Sequence, residues 1–422
     1  MKIQDKRLAL RVGLIVLLTG MMARSETNTT GPGSDWPQWR GPNRDGQAHG
    51  PKWPDRLTLD LQWRVPLQPS YSGPIVDGPV VFTTQTENEK LEVVLALNRQ
   101  TGAQLWRASW PGAMSVPRFA ARNGSWIRST PACDGESLYV AGMRDMLVCL
   151  DSRTGAERWR ADFMARLKTP LPTFGFVSSP LVWDDSVVVQ AGASIVKLEK
   201  GSGQIVWRAM KDGGGTFGSA FSSPVSAVLA GHRQLVVQTR KELTGVDIKT
   251  GHVLWSQTVP AYRGMNILTP VVIDNAIFTS SYRNKSWLYQ ISQDDAGFHV
   301  ETAWSNSTPG YMSTPVVIGR HIYMHLQSGR FTCIDLNTGT RTWTSKPFGK
   351  YCSLVANHDR ILALVSDGTL LYIHAQADEF LLIDRLNVSD GETWAHLAVA
   401  GDQLFIRDLN SLAAYRFIRT SE

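Results

Sequence analysis

Asp335-Leu336-Asn337-Thr338-Gly339-Thr340-Arg341-Thr342-Trp343 is the stretch on which the fold turns. An Asp at the first position can close a turn onto backbone N–H groups, and the glycine four residues on tolerates the positive φ that such a turn needs. Ahead of it, Phe331-Thr332-Cys333-Ile334 reads as a short strand, and Trp343 lies on another. The spacing recurs as Asn98, Gly102 and Trp106; Asp151, Gly155 and Trp159; Glu199, Gly203 and Trp207; and Asp247, Gly251 and Trp255. A weaker copy ends at Trp304, where residues 293–299 read as an insertion in place of the short turn. Constant internal spacing at a period of roughly 40–50 residues marks a closed or stacked repeat architecture.

Around the opening stretch a whole unit can be read, with strands at residues 313–318, 321–324, 331–335 and 340–344 in the order of a meander. The units open on Gly73-Pro74, Thr130-Pro131, Ser179-Pro180, Ser223-Pro224, Thr269-Pro270 and Thr314-Pro315. Proline is expected there as a first strand residue, where it gives up no interior ladder bond. Two further units are degenerate: residues 353–384 lack the proline and tryptophan, and residues 396–417 supply only three strands. The missing strand stands at the other end of the chain, where Leu61-Gln62-Trp63-Arg64-Val65 resembles Leu105-Trp106-Arg107 but follows no complete unit. The expected fold is all-β, an eight-bladed β-propeller of four-stranded antiparallel blades, closed by the N-terminal strand pairing into the last blade so that no edge is exposed. Trp63, Trp106, Trp159, Trp207, Trp255, Trp304 and Trp343 are read as blade-docking residues, each indole burying about 150–250 Å² at a seam.

The 422 residues are 43% hydrophobic and 19% charged, enough to bury a large core. Residues 1–25 read as a cleavable signal peptide: basic residues accompany an apolar run of roughly 12 residues, short of the ~20 that span a bilayer. The expected domains are that signal, an extended segment at 26–59 and a propeller at 60–418, in a chain exported to the periplasm or beyond without stable membrane insertion. The formal charge of +6 falls to about +2 once the signal is removed, so bulk charge gives nucleic-acid binding no support. Cys133, Cys149, Cys333 and Cys352 match no metal or redox spacing, and the repeat position of Cys149 and Cys333 is one for packing.

The Ala96-Asn98-Gly102-Trp106 pattern resembles the tryptophan-docking motif of propellers of the pyrroloquinoline quinone (PQQ) type, a superfamily that includes quinoprotein dehydrogenases and outer-membrane assembly factors. Asp35-Trp36-Pro37-Gln38-Trp39-Arg40-Gly41-Pro42-Asn43-Arg44-Asp45-Gly46 is similar to a leader on PQQ-like repeat proteins of planctomycete-type bacteria. From its residues it is a turn-rich aromatic clasp, with Trp36 and Trp39 expected to pack on the ring. For the dehydrogenase branch the resemblance implies PQQ, calcium and an adjacent Cys-Cys or equivalent lid, and this sequence has no Cys-Cys pair. For the scaffold branch it implies protein partners and no cofactor, but the lipid-attachment cysteine of that branch is missing.

Catalytic and metal motifs are absent: there is no HExxH, no GxSxG, and His321 and His325 would stand ~13 Å apart on a strand. The long connections at residues 109–128 and 161–177 instead mix arginine and aromatic residues, the composition of binding hot spots. The expected partner-binding rim comprises Arg118, Phe119, Arg122, Trp126, Arg128, Arg166, Lys168 and Phe174, joined from further round by Arg263, Tyr311 and Trp394. The sequence therefore points to a monomeric, non-catalytic binding propeller for a protein or peptide, with no cofactor or metal. A PQQ- and calcium-dependent dehydrogenase and a polysaccharide binder are the alternatives.

Overall fold

The computed structural model describes residues 35–218 and 220–418, apart from the side chains of Arg122 and Asn123. The expected signal peptide, and the extended segment as far as residue 34, lie outside the described residues. Eight four-stranded antiparallel sheets follow one another along the chain. Blades 1 to 7 occupy residues 75–111, 132–162, 181–209, 225–258, 271–306, 316–347 and 352–387. In blade 8 the strands Ala398–Ala400, Gln403–Arg407 and Ser411–Phe417 are completed by Leu59–Pro66, with Leu59 opposite Phe417 and Pro66 opposite Ser411. The last sheet of the ring is thus sewn from both ends of the described chain.

Tryptophan placement follows from a bulge that recurs between the third and fourth strands, for example where Ala96 faces Trp106 but Leu97 faces Gln104. The extra residue, Leu105, is left exposed, and the indole is turned to the neighbouring blade. There it lies against the glycine of the next turn: a Cβ on Gly155 would stand 2.5 Å from the Trp106 ring, and one on Gly203 2.4 Å from Trp159. Both glycines have φ near +70° (72° and 68°), so shape and conformation select the same residue. Five of the indole N–H groups then donate to the carbonyl that follows the turn's first residue: Trp63 to Arg99 (2.9 Å), Trp106 to Ser152 (3.0 Å), Trp159 to Lys200 (2.7 Å), Trp207 to Ile248 (3.1 Å) and Trp304 to Leu336 (2.7 Å), while Trp343 donates to Gln376 O (2.9 Å) in the degenerate blade 7. The turn itself is stiffened by its Asp, as when Asp247 Oδ1 accepts from the N–H groups of Lys249 and Thr250.

The insertion at residues 293–299 does replace the short turn, and it takes the form of a longer hairpin: Ser286–Asp294 and Gly297–Asn306 are long strands that pair up to a tight turn between Asp294 and Gly297. Blade 5 consequently offers Trp255 no short turn, and that indole donates within its own blade to Gln234 Oε1 (2.7 Å). One expectation needs correction: the prolines are not the first strand residues but stand one position before their strands, which begin at Ile75, Ala132, Leu181, Val225, Val271 and Val316. All four cysteines are buried and unpaired. Among the described residues no helix is long and apolar enough to cross a membrane.

Replacing Trp159 by Ala is expected to lower unfolding free energy in denaturant by ~3–5 kcal/mol, the usual loss for a large buried side chain. Gly203→Ala, which strains the turn and meets that indole, is expected to cost ~1–3 kcal/mol.

Candidate functional site

The residues before the prolines build the inner wall of the ring. Gly73 N–H donates to Thr130 Oγ1, Thr130 N–H to Ser179 Oγ, Ser179 N–H to Ser223 Oγ, Ser223 N–H to Thr269 Oγ1 and Thr269 N–H to Thr314 Oγ1, at 2.9–3.2 Å. A belt of hydroxyls thereby links blades 1 to 6, and blade 8 puts His396 at the same level. Extended backbone presents alternate residues to one side, so the position two before each belt residue also faces the bore. Tyr71, Arg128, Val177, Phe221, Ile267, Met312 and Trp394 occupy it and line the upper channel.

The clasp closes the other end. Trp36 is buried and pairs with Val76, Trp39 lines the channel, and two arginines are more than 95% buried beneath it. Arg44 donates to the carbonyls of Ser179 and Pro180 (2.9 and 2.8 Å), and Arg40 to those of Thr314 and Pro315 (3.0 and 2.7 Å). The two guanidiniums therefore tie blade 3 to blade 6 across the bore. Burial pushes Arg44 down to about 9 and Arg40 to about 10, which leaves both charged at neutral pH. The space above is about 170 Å³.

At the mouth, aromatic rings form a crescent. Trp126 meets Tyr71 edge-on (5.1 Å between centroids), Tyr71 stacks on Trp394 (4.8 Å), and Trp394 touches Tyr351 (4.1 Å). The line continues through Tyr311, Tyr282 and Tyr262. A second group runs from the exposed Phe119 through Phe174 to Phe221. Arg128 lies over Tyr71, Arg263 over Tyr262, Arg283 over both Tyr262 and Tyr282, and Arg240 over Phe221. Arg118 is exposed on the short helix Arg118–Asn123, which also carries Arg122.

Of the expected rim, Arg166 does not join this assembly. The helix Phe163–Leu167 turns it down the outer wall, where it donates to Gly203 O (2.7 Å) and Arg160 O (2.6 Å). Lys168 ends that helix in a left-handed conformation and is exposed. Tyr71, Phe221, Arg240, Tyr282 and Arg283 were missing from the expectation. Tyr282 and Arg283 sit in a second-to-third-strand turn, and the alternation that carries Tyr71 and Phe221 to the bore was the available signal. The glycine-rich segment at 211–218 is closed on itself, with Asp212 Oδ1 accepting from Gly214 N–H (2.6 Å). On this face Lys and Arg outnumber Asp and Glu about two to one, while the face carrying the Asp turns has the reverse balance.

A quinone held with calcium would need a set of oxygen donors along this channel. Calcium takes about six to eight oxygen ligands, several of them carboxylates, and among the described residues no carboxylate lines the channel. Among the described residues no three His, Cys, Asp or Glu side chains gather as metal ligands. The cavity also falls below the ~300–1,000 Å³ usual for cofactor sites. The residues present do not fit that pair.

His396 has a measurable consequence. Its Nδ1–H donates to Leu397 O (2.8 Å), and burial, with Arg40 nearby, pushes the imidazole from 6.5 down to about 3. Between those values the unfolded chain takes up a proton that the folded one refuses, so stability is lost as pH falls, by up to about 1.4 kcal/mol per unit. Asp145, pushed up to about 7 by burial, contributes with the opposite sign. The difference in stability between wild type and His396→Asn is therefore expected to shrink from pH 6.5 towards pH 3 in denaturant titrations.

The PQQ_2 family model, described as outer membrane protein assembly factor BamB, matches residues 90–345. BamB of Yersinia pestis is 22% identical over 312 residues, covering 65% of this chain and 75% of that protein. Among solved structures, BamB from Moraxella catarrhalis superposes with a TM-score of 0.63 at 15% identity, covering 86% of this chain and 99% of that one. The quinohemoprotein alcohol dehydrogenase of Comamonas testosteroni gives 0.65 at 12% identity, covering 92% and 82%. At such identities the superpositions speak for the fold alone. The tryptophan-docked ring and the match over more than half of its length together establish that the chain belongs to the BamB-type PQQ_2 family of β-propellers.

Proposed function

We propose that this chain is an exported, non-catalytic scaffold that docks a protein partner on the face carrying the connections between blades. The observation behind this reading is the aromatic crescent from Trp126 to Tyr262 with arginines laid over it. Aromatic and arginine side chains give large contact area with directional polar contacts, which is how hot spots concentrate binding energy. The cationic balance of the same face favours a partner segment rich in Asp and Glu. The BamB relatives make a component of outer-membrane protein assembly the first partner to seek, and the amino-terminal segment supports a periplasmic setting. The dehydrogenase alternative has a fold neighbour behind it, and the channel's donor set speaks against it.

Capture from periplasmic extract, followed by titration with the captured protein, tests the reading. Phe119→Ala, Tyr262→Ala and Arg118→Ala are each expected to weaken binding about tenfold, with Lys249→Ala on the opposite face as the silent control. Equal affinity for all four variants would refute the assignment of the face. Addition of PQQ and calcium is expected to give no saturable absorbance change and no dye reduction.

A further inference from the structure

The hydroxyl belt has a property that ring closure does not use. Each of Thr130, Ser179, Ser223, Thr269 and Thr314 accepts a backbone N–H from the blade before it. An accepting hydroxyl keeps its own proton to give, and none of these five donates to another described residue. All five line the channel. Above them Tyr71, 8% exposed, lines the same space with a buried phenol oxygen that has no hydrogen-bond partner. A buried polar atom left unpaired costs roughly 1–3 kcal/mol, so the Tyr71 hydroxyl, above five belt hydroxyls that each keep a proton to give, marks a place for an acceptor.

The surroundings set the sign of its charge. Arg40 and Arg44 lie just beneath, with their guanidiniums on carbonyl oxygens, and Arg128 is at the mouth. Among the described residues no Asp or Glu lines the space itself; Glu392, which acts on Tyr71, and Asp367, which acts on Cys352, offset this field only from outside the lining. The clasp leaves the channel open at one end. Its volume, about 170 Å³, equals that of roughly six liquid waters, which suits one small ion or side-chain head.

We propose that the blind channel binds a single oxyanion, a carboxylate or a tetrahedral oxyanion, on the belt hydroxyls and the Tyr71 phenol. The inference is independent of any partner on the rim, because it is tested on the isolated protein. Thermal unfolding and calorimetric titration with sodium sulfate and sodium malonate are expected to show saturable, one-to-one binding. Sodium chloride at matched ionic strength and glucose are expected to show none. Tyr71→Phe, which keeps the stack on Trp394 and removes only the phenol, is expected to weaken the anion about tenfold or more, as is Thr269→Val. Thr269 also holds Ser223, so Tyr71→Phe carries the test if the valine variant unfolds. Comparing sulfate with malonate separates tetrahedral from carboxylate ligands, and N-acetylglutamate amide separates a docked acidic side chain from a free anion. A response matched by chloride, a preference for glucose, or binding indifferent to Tyr71→Phe would overturn the proposal.

Discussion

The seating of each indole on the next blade's turn is the contact that makes separate sheets one ring. It joins two requirements at one place: a flat apolar surface needs a partner without a side chain, and the indole N–H needs a carbonyl it can reach. The Asx turn meets both, because it stacks a positive-φ glycine beside an outward-facing carbonyl. Where the turn is replaced by a longer hairpin, as in blade 5, the apolar packing survives and only the hydrogen bond is redirected, from the next blade to Gln234. Packing is thus the stronger demand of the two, in line with the modest net worth of one hydrogen bond.

This also explains what could be read from residues alone. Spacing of Asx, Gly and Trp is a one-dimensional record of a repeated contact, so the ring, its blade count and its closure through Trp63 were legible. The belt was not, although its residues stand beside the prolines, because a proline at the mouth of a strand accounts for each pair without the hydroxyl. The hydroxyl beside it carries the inter-blade bond. Arg40 and Arg44 were hidden for another reason: in a turn-rich segment a charged residue normally faces water, and only the meeting of that segment with four carbonyls makes burial tolerable.

At the mouth, connection length was a useful guide to Phe119, Trp126 and Phe174 and silent about the short turn that carries Tyr282. Arg166 shows the converse. It stands in a long connection, but one turn of helix decides its direction, and a five-residue helix has too few positions to leave a periodic trace.

The two buried guanidiniums reach blades that stand well apart around the ring, so the clasp acts as a spoke in a wheel. A hoop held only at its seams can flatten into an oval, whereas a braced one keeps its hub round. Any surface that settles on this molecule therefore meets a rigid frame, and adaptation is left to the rotamers of the aromatic residues at the rim rather than to movement of the sheets.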